Sequence, residues 1–132
     1  MQTTIEHMLS STPNRASVDG ETLAACLRAC AECEIACRSC ADACLGEPEI
    51  DPLRRCIRLN LDCAALCAAT IDIASRTYAV DAAFLTAELE LCARICEMCA
   101  TECEKHQHHE HCKVCAGACR GCADACRAAI GA

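Results

Sequence analysis

The chain of 132 residues has no tryptophan, one tyrosine (Tyr78) and one phenylalanine (Phe84). A core built from aromatic side chains is therefore excluded. Three prolines and five glycines are too few for a loop-rich secreted scaffold, a collagen or a many-turned β-protein. Basic residues are outnumbered 12 to 19, for a net charge of −7. An acidic chain with two aromatic side chains is a poor ligand for nucleic acid, so no such partner is expected. No apolar run approaches the roughly 18–20 residues of a membrane span, so no membrane partner is expected either. The first residues, Met1 to Ser10, carry no basic region, apolar stretch or twin-arginine pair of an export signal. That predicts a cytoplasmic setting, where disulfides rarely persist and thiols serve as ligands instead.

What the chain has is cysteine, eighteen in all, set among alanine and leucine. Caps and periodicity predict an all-α protein: an antiparallel four-helix bundle with a cysteine-lined core, residues 19–132. An N-terminal extension, residues 1–18, carries a short helix or turn around Ile5, Met8 and Leu9, ended by Pro13. The four helices are read at about 19–45, 52–77, 82–105 and 109–129. Asp19 and Asp81 are N-caps, and Gly46 is a stop. Asp51-Pro52 reads as an N-cap followed by proline at the first helical position. Short connections make neighbours antiparallel. Between the last two helices no glycine or proline marks a break. Cys103 and Cys112, nine residues apart, would lie on opposite sides of a continuous helix, about half a turn out of phase. A turn at His106–Glu110 lets both face one core.

The cysteine spacing carries the chemistry. The first bundle helix holds Cys26, Cys30, Cys33, Cys37, Cys40 and Cys44; the second holds Cys56, Cys63 and Cys67. The third holds Cys92, Cys96, Cys99 and Cys103; the fourth holds Cys112, Cys115, Cys119, Cys122 and Cys126. Alternating steps of three and four are the rhythm of a bundle seam, so every cysteine points at the axis where leucine normally sits. One or two such cysteines would be small hydrophobes. Eighteen make a poor packing core, reactive and low in buried volume. Disulfides between residues three or four apart on one helix require unwinding, because their Cα–Cβ bonds run side by side. Soft thiolates suit Cu(I), Zn(II) or iron–sulfur clusters. About four tetrahedral zinc ions would leave roughly ten uncompensated negative charges along a narrow axis. One monovalent ion per thiolate leaves none. Clusters of iron and sulfur need loop-borne cysteines. The pattern points to a tube of thiolates filled with multiple Cu(I) ions per chain. A thiol redox or disulfide-exchange protein and a broad soft-metal buffer are the alternatives.

Residues 20–130 of this pattern resemble the cysteine-rich four-helix-bundle copper storage proteins of bacteria, in the cytosolic branch that lacks an export signal. The resemblance implies a homotetramer, storage of many Cu(I) ions per bundle, and the eighteen cysteines as the ligands. Partners are then copper ions and the donor or acceptor proteins or chelators that exchange them. No acid–base pair or nucleophile stands apart from the thiols, so no enzyme activity is expected.

Antiparallel threading brings the first and third loops to one end, with Cys44, Cys56, Cys103 and Cys112. His106, His108, His109 and His111 cluster there and read as a possible metal entrance, since neutral imidazole binds copper. His106 lies within about 50° of the cysteine face of its helix, and His108 extrapolates onto that of the last helix. His7 lies outside the constellation. Asn60 occupies a seam position where a cysteine is expected, either as a buried polar residue satisfied by backbone or as an amide donor to a thiolate. Met98, about 130° from the cysteine face, is read as packing or subunit contact. At the far end Leu23, Ile71, Ala74, Leu85, Leu89 and Ile130 form an apolar plug, with Phe84 and Tyr78 nearby.

Overall fold

The computed structural model describes residues 3–14 and 18–131. Among the described residues five α-helices follow one another: α1 Thr4–Ser11, α2 Gly20–Leu45, α3 Arg54–Ala74, α4 Ala82–Glu104 and α5 Glu110–Ala129. A 3₁₀ turn, Asp51–Leu53, precedes α3. Helix α2 packs on α3 and α5, and α4 packs on the same two, which closes a four-sided antiparallel bundle. Helix α1 lies along α2. It sets Ile5 and Leu9 against the core and joins Glu6 to Arg28 at 2.8 Å.

The starts of α2 and α4 follow the sequence. The Asp19 and Asp81 carboxylates accept from the backbone N–H of Thr22 and Phe84, satisfying donors that a helix N-terminus leaves unpaired. The start of α3 differs. Asp51 makes no cap; its carboxylate takes the Arg54 guanidinium at 2.8 Å, and Pro52 sits in the 3₁₀ turn. Proline's missing N–H suits that tight first turn, and the α-helical ladder begins only at Arg54. Helix α3 also ends three residues early, at Ala74. There the ladder tightens, with Arg76 N–H bonding Ile73 O, before the loop passes through Ala79 at φ +51°. Gly46 does end α2, but in right-handed conformation (φ −86°), so no left-handed cap is used. The turn between α4 and α5 is where the phase argument placed it, tightened by His106 N–H to Cys103 O and His109 N–H to His106 O.

The plug forms as well, from the expected residues and two more. Leu23, Leu85, Leu89 and Ala74 are buried, joined by Val18 and Leu27, with Ile71 and Ile130 partly buried. Phe84 and Tyr78 take no part, being 60% and 82% exposed. Phe84 precedes Leu85 by one residue, about 100° around the helix, and so faces out. Tyr78 lies in the loop before α4. Met98 is exposed on α4, as its angle to the cysteine face requires.

Candidate metal centre

All eighteen cysteines are buried free thiols. Their sulfurs lie on all four long helices and meet across the axis. Cys26 and Cys126 stand 3.7 Å apart, Cys122 and Cys30 3.6 Å, Cys63 and Cys96 3.6 Å, Cys37 and Cys119 3.6 Å, and Cys56 and Cys103 3.5 Å. Helix spacing produces this: each step of three or four returns a sulfur to the same face, one level along.

Several sets of four sulfurs lie within 4.8 Å of one another. One is Cys33, Cys37, Cys63 and Cys119; a second is Cys33, Cys63, Cys67 and Cys96; a third is Cys37, Cys99, Cys115 and Cys119. Any one set, taken alone, is the size of a tetrahedral thiolate site. The sets share members, however, so they cannot all be filled as separate four-sulfur sites. A shared sulfur bridges neighbouring ions, which is the behaviour of a continuous thiolate array.

Asn60 sits inside this array with no exposure. Its Nδ2 donates to Cys56 Sγ at 3.7 Å, so the amide does reach a sulfur. Its Oδ1 accepts from Cys99 at 3.1 Å, Cys115 at 3.4 Å and Cys103 at 3.6 Å. One neutral amide thus joins the sulfurs of α3, α4 and α5 at one level, and no backbone group is needed to satisfy it. The spacing marked the position; the acceptor role of its oxygen was not legible there.

Burial and mutual hydrogen bonding act together on the thiols of the empty array. Cys44 is pushed up to about 11 by burial and by the neighbouring Cys56, and burial also raises Cys112. Cys119 and Cys96 are raised by hydrogen bonding to Cys115 and Cys122 respectively, with burial adding to it. Cys26 and Cys56 are lowered instead, to about 4 and about 3, by hydrogen bonding to Cys126 and Cys103 respectively, while burial opposes charge on each.

The mouth lies where the α2–α3 and α4–α5 loops meet. There Cys40, Cys44, Cys112 and the imidazole of His111 form a set of four ligand atoms within 4.8 Å. His111 Nδ1 is 3.5 Å from Cys40 Sγ and 3.6 Å from Cys112 Sγ. The three cysteines are sealed, whereas the His111 side chain is 24% exposed, so the imidazole spans from solvent to thiol. Glu47, from the first loop, meets both His109 and His111, and hydrogen bonding from His111 holds its carboxyl below the usual range. His106 bonds buried Glu102 at 2.8 Å. A cavity of about 280 Å³ opens over these residues, lined by Glu47, Glu49, Leu53, His106, His108 and His109 among others.

The structure thus brings the four histidines together, with one exchange of roles. His108 does not reach the face of α5: it precedes the helix, is exposed, and lies against the His109 ring at 4.2 Å between centroids. His111, inside the first turn of α5, contacts the thiols in its place. The extrapolation failed because the tight turn rotates the chain before α5 begins. His7 is exposed on α1, away from this cluster.

A sequence model of the copper storage protein (Csp) family matches residues 19–131. The copper storage protein Ccsp of Streptomyces lividans, in a structure loaded with 10 copper equivalents, superposes with a TM-score of 0.94. It is 43% identical, covering 96% of this chain and 98% of its own. Another structure of a Streptomyces lividans protein describes it as a cytosolic copper storage protein. The Cu(I)-bound copper storage protein BsCsp3 of Bacillus subtilis is 41% identical, with a TM-score of 0.73, over 81% of this chain and 96% of its own. The cysteine-rich protein YhjQ of Bacillus subtilis is 44% identical over 94 residues, 71% of this chain and 82% of its own. With its thiol-lined bundle, the chain belongs to the copper storage protein family.

Proposed function

We propose that this protein stores Cu(I) in the cytosol as a copper–thiolate array, using all eighteen cysteines as ligands. The observation that carries the reading is the connected file of buried free thiols whose quartets share sulfurs. Each thiol that loses its proton to a monovalent ion leaves the core neutral, so filling never accumulates charge. Asn60 adds a neutral oxygen to the array. His111, Cys40, Cys44 and Cys112 receive ions at the mouth, and His106, His108 and His109 supply intermediate ligands on the approach. A bare ion in a dry core is costly, so transfer proceeds by ligand exchange from a copper donor protein or chelator. Storage is binding without turnover. Disulfide exchange requires an accessible thiolate, and these sulfurs are sealed.

Helix faces turned away from the sulfurs carry exposed Ile35, Leu61, Leu91, Met98 and Val114, apolar surface that supports assembly of several bundles, as the family resemblance implies. Sedimentation of the metal-free protein reads that state.

Anaerobic titration of the reduced protein with Cu(I) against the chelator bicinchoninate tests the storage reading. Saturation is expected at a copper number comparable to the thiol count. Saturation at two to four ions per chain would falsify the filled array and favour discrete sites. Four alanines at His106, His108, His109 and His111 should slow uptake and removal and leave the capacity nearly unchanged.

A further inference from the structure

The cavity at the mouth holds three of the four histidines, His106, His108 and His109, but neither His111 nor any cysteine lines it. The first thiols behind it on α3 and α4 are Cys56 and Cys103, 3.5 Å apart and without exposure. Leu53 stands between. It lines the cavity, is 1% exposed, and belongs to the same buried cluster as both cysteines. It also continues the seam of α3 outward. Residues 53, 56, 60, 63 and 67 step by three and four, so Leu53 covers the level next to Cys56 on the mouth side. Its backbone is fixed by the 3₁₀ turn, with Pro52 before it and its own N–H bonded to Ile50 O at 2.8 Å.

A leucine side chain offers an ion nothing to bind. A cuprous ion that crossed it would shed every ligand in a dry passage, which is costly. The other side of the mouth is built differently. His111 Nδ1 lies 3.5 Å from Cys40 Sγ on α2 and 3.6 Å from Cys112 Sγ on α5. Its ring stacks on that of His109, which lines the cavity, with centroids 5.4 Å apart. Imidazoles therefore lead from the cavity to the sulfurs of α2 and α5. On the side of α3 and α4, His106 is held by Glu102 at 2.8 Å and Leu53 closes the floor.

We propose that Leu53 is a gate: an apolar floor that shuts the histidine cavity off from Cys56 and Cys103, and so directs arriving ions through His109 and His111 to Cys40 and Cys112. The proposal rests on the storage reading above for the ions it directs; the closure itself is a property of the metal-free protein.

Brief alkylation of the reduced, metal-free protein by iodoacetamide, at single-hit levels with each site read by peptide mass spectrometry, measures the closure. Leu53→Ala should raise labelling at Cys56 and Cys103 about tenfold and leave Cys26 and Cys92, at the plug end, as in the wild type. Leu53→Val, a smaller deletion, gives the same reading should Leu53→Ala fail to fold. Leu53→Met keeps the volume and should label as the wild type. Leu89→Ala removes as much core at the plug and should leave Cys56 and Cys103 at their wild-type level. Stopped-flow uptake from Cu(I)–bicinchoninate measures the routing. His111→Ala should slow the first phase about tenfold, and Leu53→Ala added to it should restore the rate to within about twofold of wild type. Unchanged labelling of Cys56 and Cys103 in Leu53→Ala overturns the gate. Equal acceleration at Cys26 and Cys92, or acceleration at Cys56 in Leu89→Ala, also overturns it, because the bundle has then merely loosened. So does a double variant that loads no faster than His111→Ala, or a His111→Ala protein that loads at the wild-type rate. A wild-type protein that takes up no copper would sink the storage reading instead, and alkylation would still read the closure.

Discussion

Glu102 shows how a single side chain resolves a conflict between burial and charge. It is 5% exposed, a costly place for a carboxylate. Burial alone would raise its carboxyl, but hydrogen bonds from His106 at 2.8 Å and Lys105 at 3.2 Å outweigh that and hold it below its ordinary 4.5. Arg55 adds a third partner at 3.6 Å. A depressed carboxyl contributes stability that is present above its ordinary pKa and lost as pH falls through the folded value. Glu102→Gln should therefore lower the melting temperature of the metal-free protein at pH 7 by about 4 °C, on the order of 1 kcal/mol. The difference from wild type should shrink steadily below about pH 4.5. Melting curves across that range check it. Neither partner was read from the sequence: His106 lies in the turn beyond the end of α4, and nothing local brings Arg55 of α3 beside α4 at that level. Asn60 was marked by its place in the seam, whereas its three thiol donors depend on helix rotations that spacing leaves undetermined.

At the scale of a helix, cysteine periodicity was the most legible signal in the chain. A 3.6-residue repeat that puts every sulfur on one face leaves no freedom about which face is buried, and all eighteen lie inside. Helix ends were legible where a side-chain cap was real, as at Asp19 and Asp81, and misread where a local ion pair competed, as at Asp51 with Arg54. Asp81 deserves a direct measurement, because α4 begins straight after a loop containing a left-handed alanine. Asp81→Ala leaves the Phe84 N–H without its partner at 2.9 Å. The expected cost is about 1 kcal/mol, read as a drop of about 4 °C in melting temperature, with copper capacity unchanged. Phe84 and Tyr78, near the plug in sequence, stay exposed for a general reason: aromatic residues beside an apolar cluster join it only if chain geometry allows.

For the molecule as a whole, the bundle should not depend on its cargo to fold. Leu23, Leu53 and Leu89 are fully buried regardless of copper. Far-UV circular dichroism of the reduced, metal-free protein should show the full helical signal, with little change on loading. Because a raised thiol such as Cys44, at about 11, is protonated at neutral pH, each ion must displace a proton. Unbuffered titration should register about one proton released per thiol engaged, and affinity should fall as the solution is acidified. The fold class was legible because four long helices with short connections admit few arrangements. Which histidine meets the thiols depended on a turn whose rotation the periodicity does not encode. The apolar seal of Leu23, Leu85 and Leu89 at one end and the histidine mouth at the other have a further consequence. On the proposed route through the histidine end, such a file keeps a record of arrival. Copper supplied first as one isotope and then as another should leave in reverse order, the latest arrivals first, whenever withdrawal outpaces hopping between sulfurs. The isotope ratio of the first fraction removed would then date the deposit, and its drift with waiting time would clock the hopping itself.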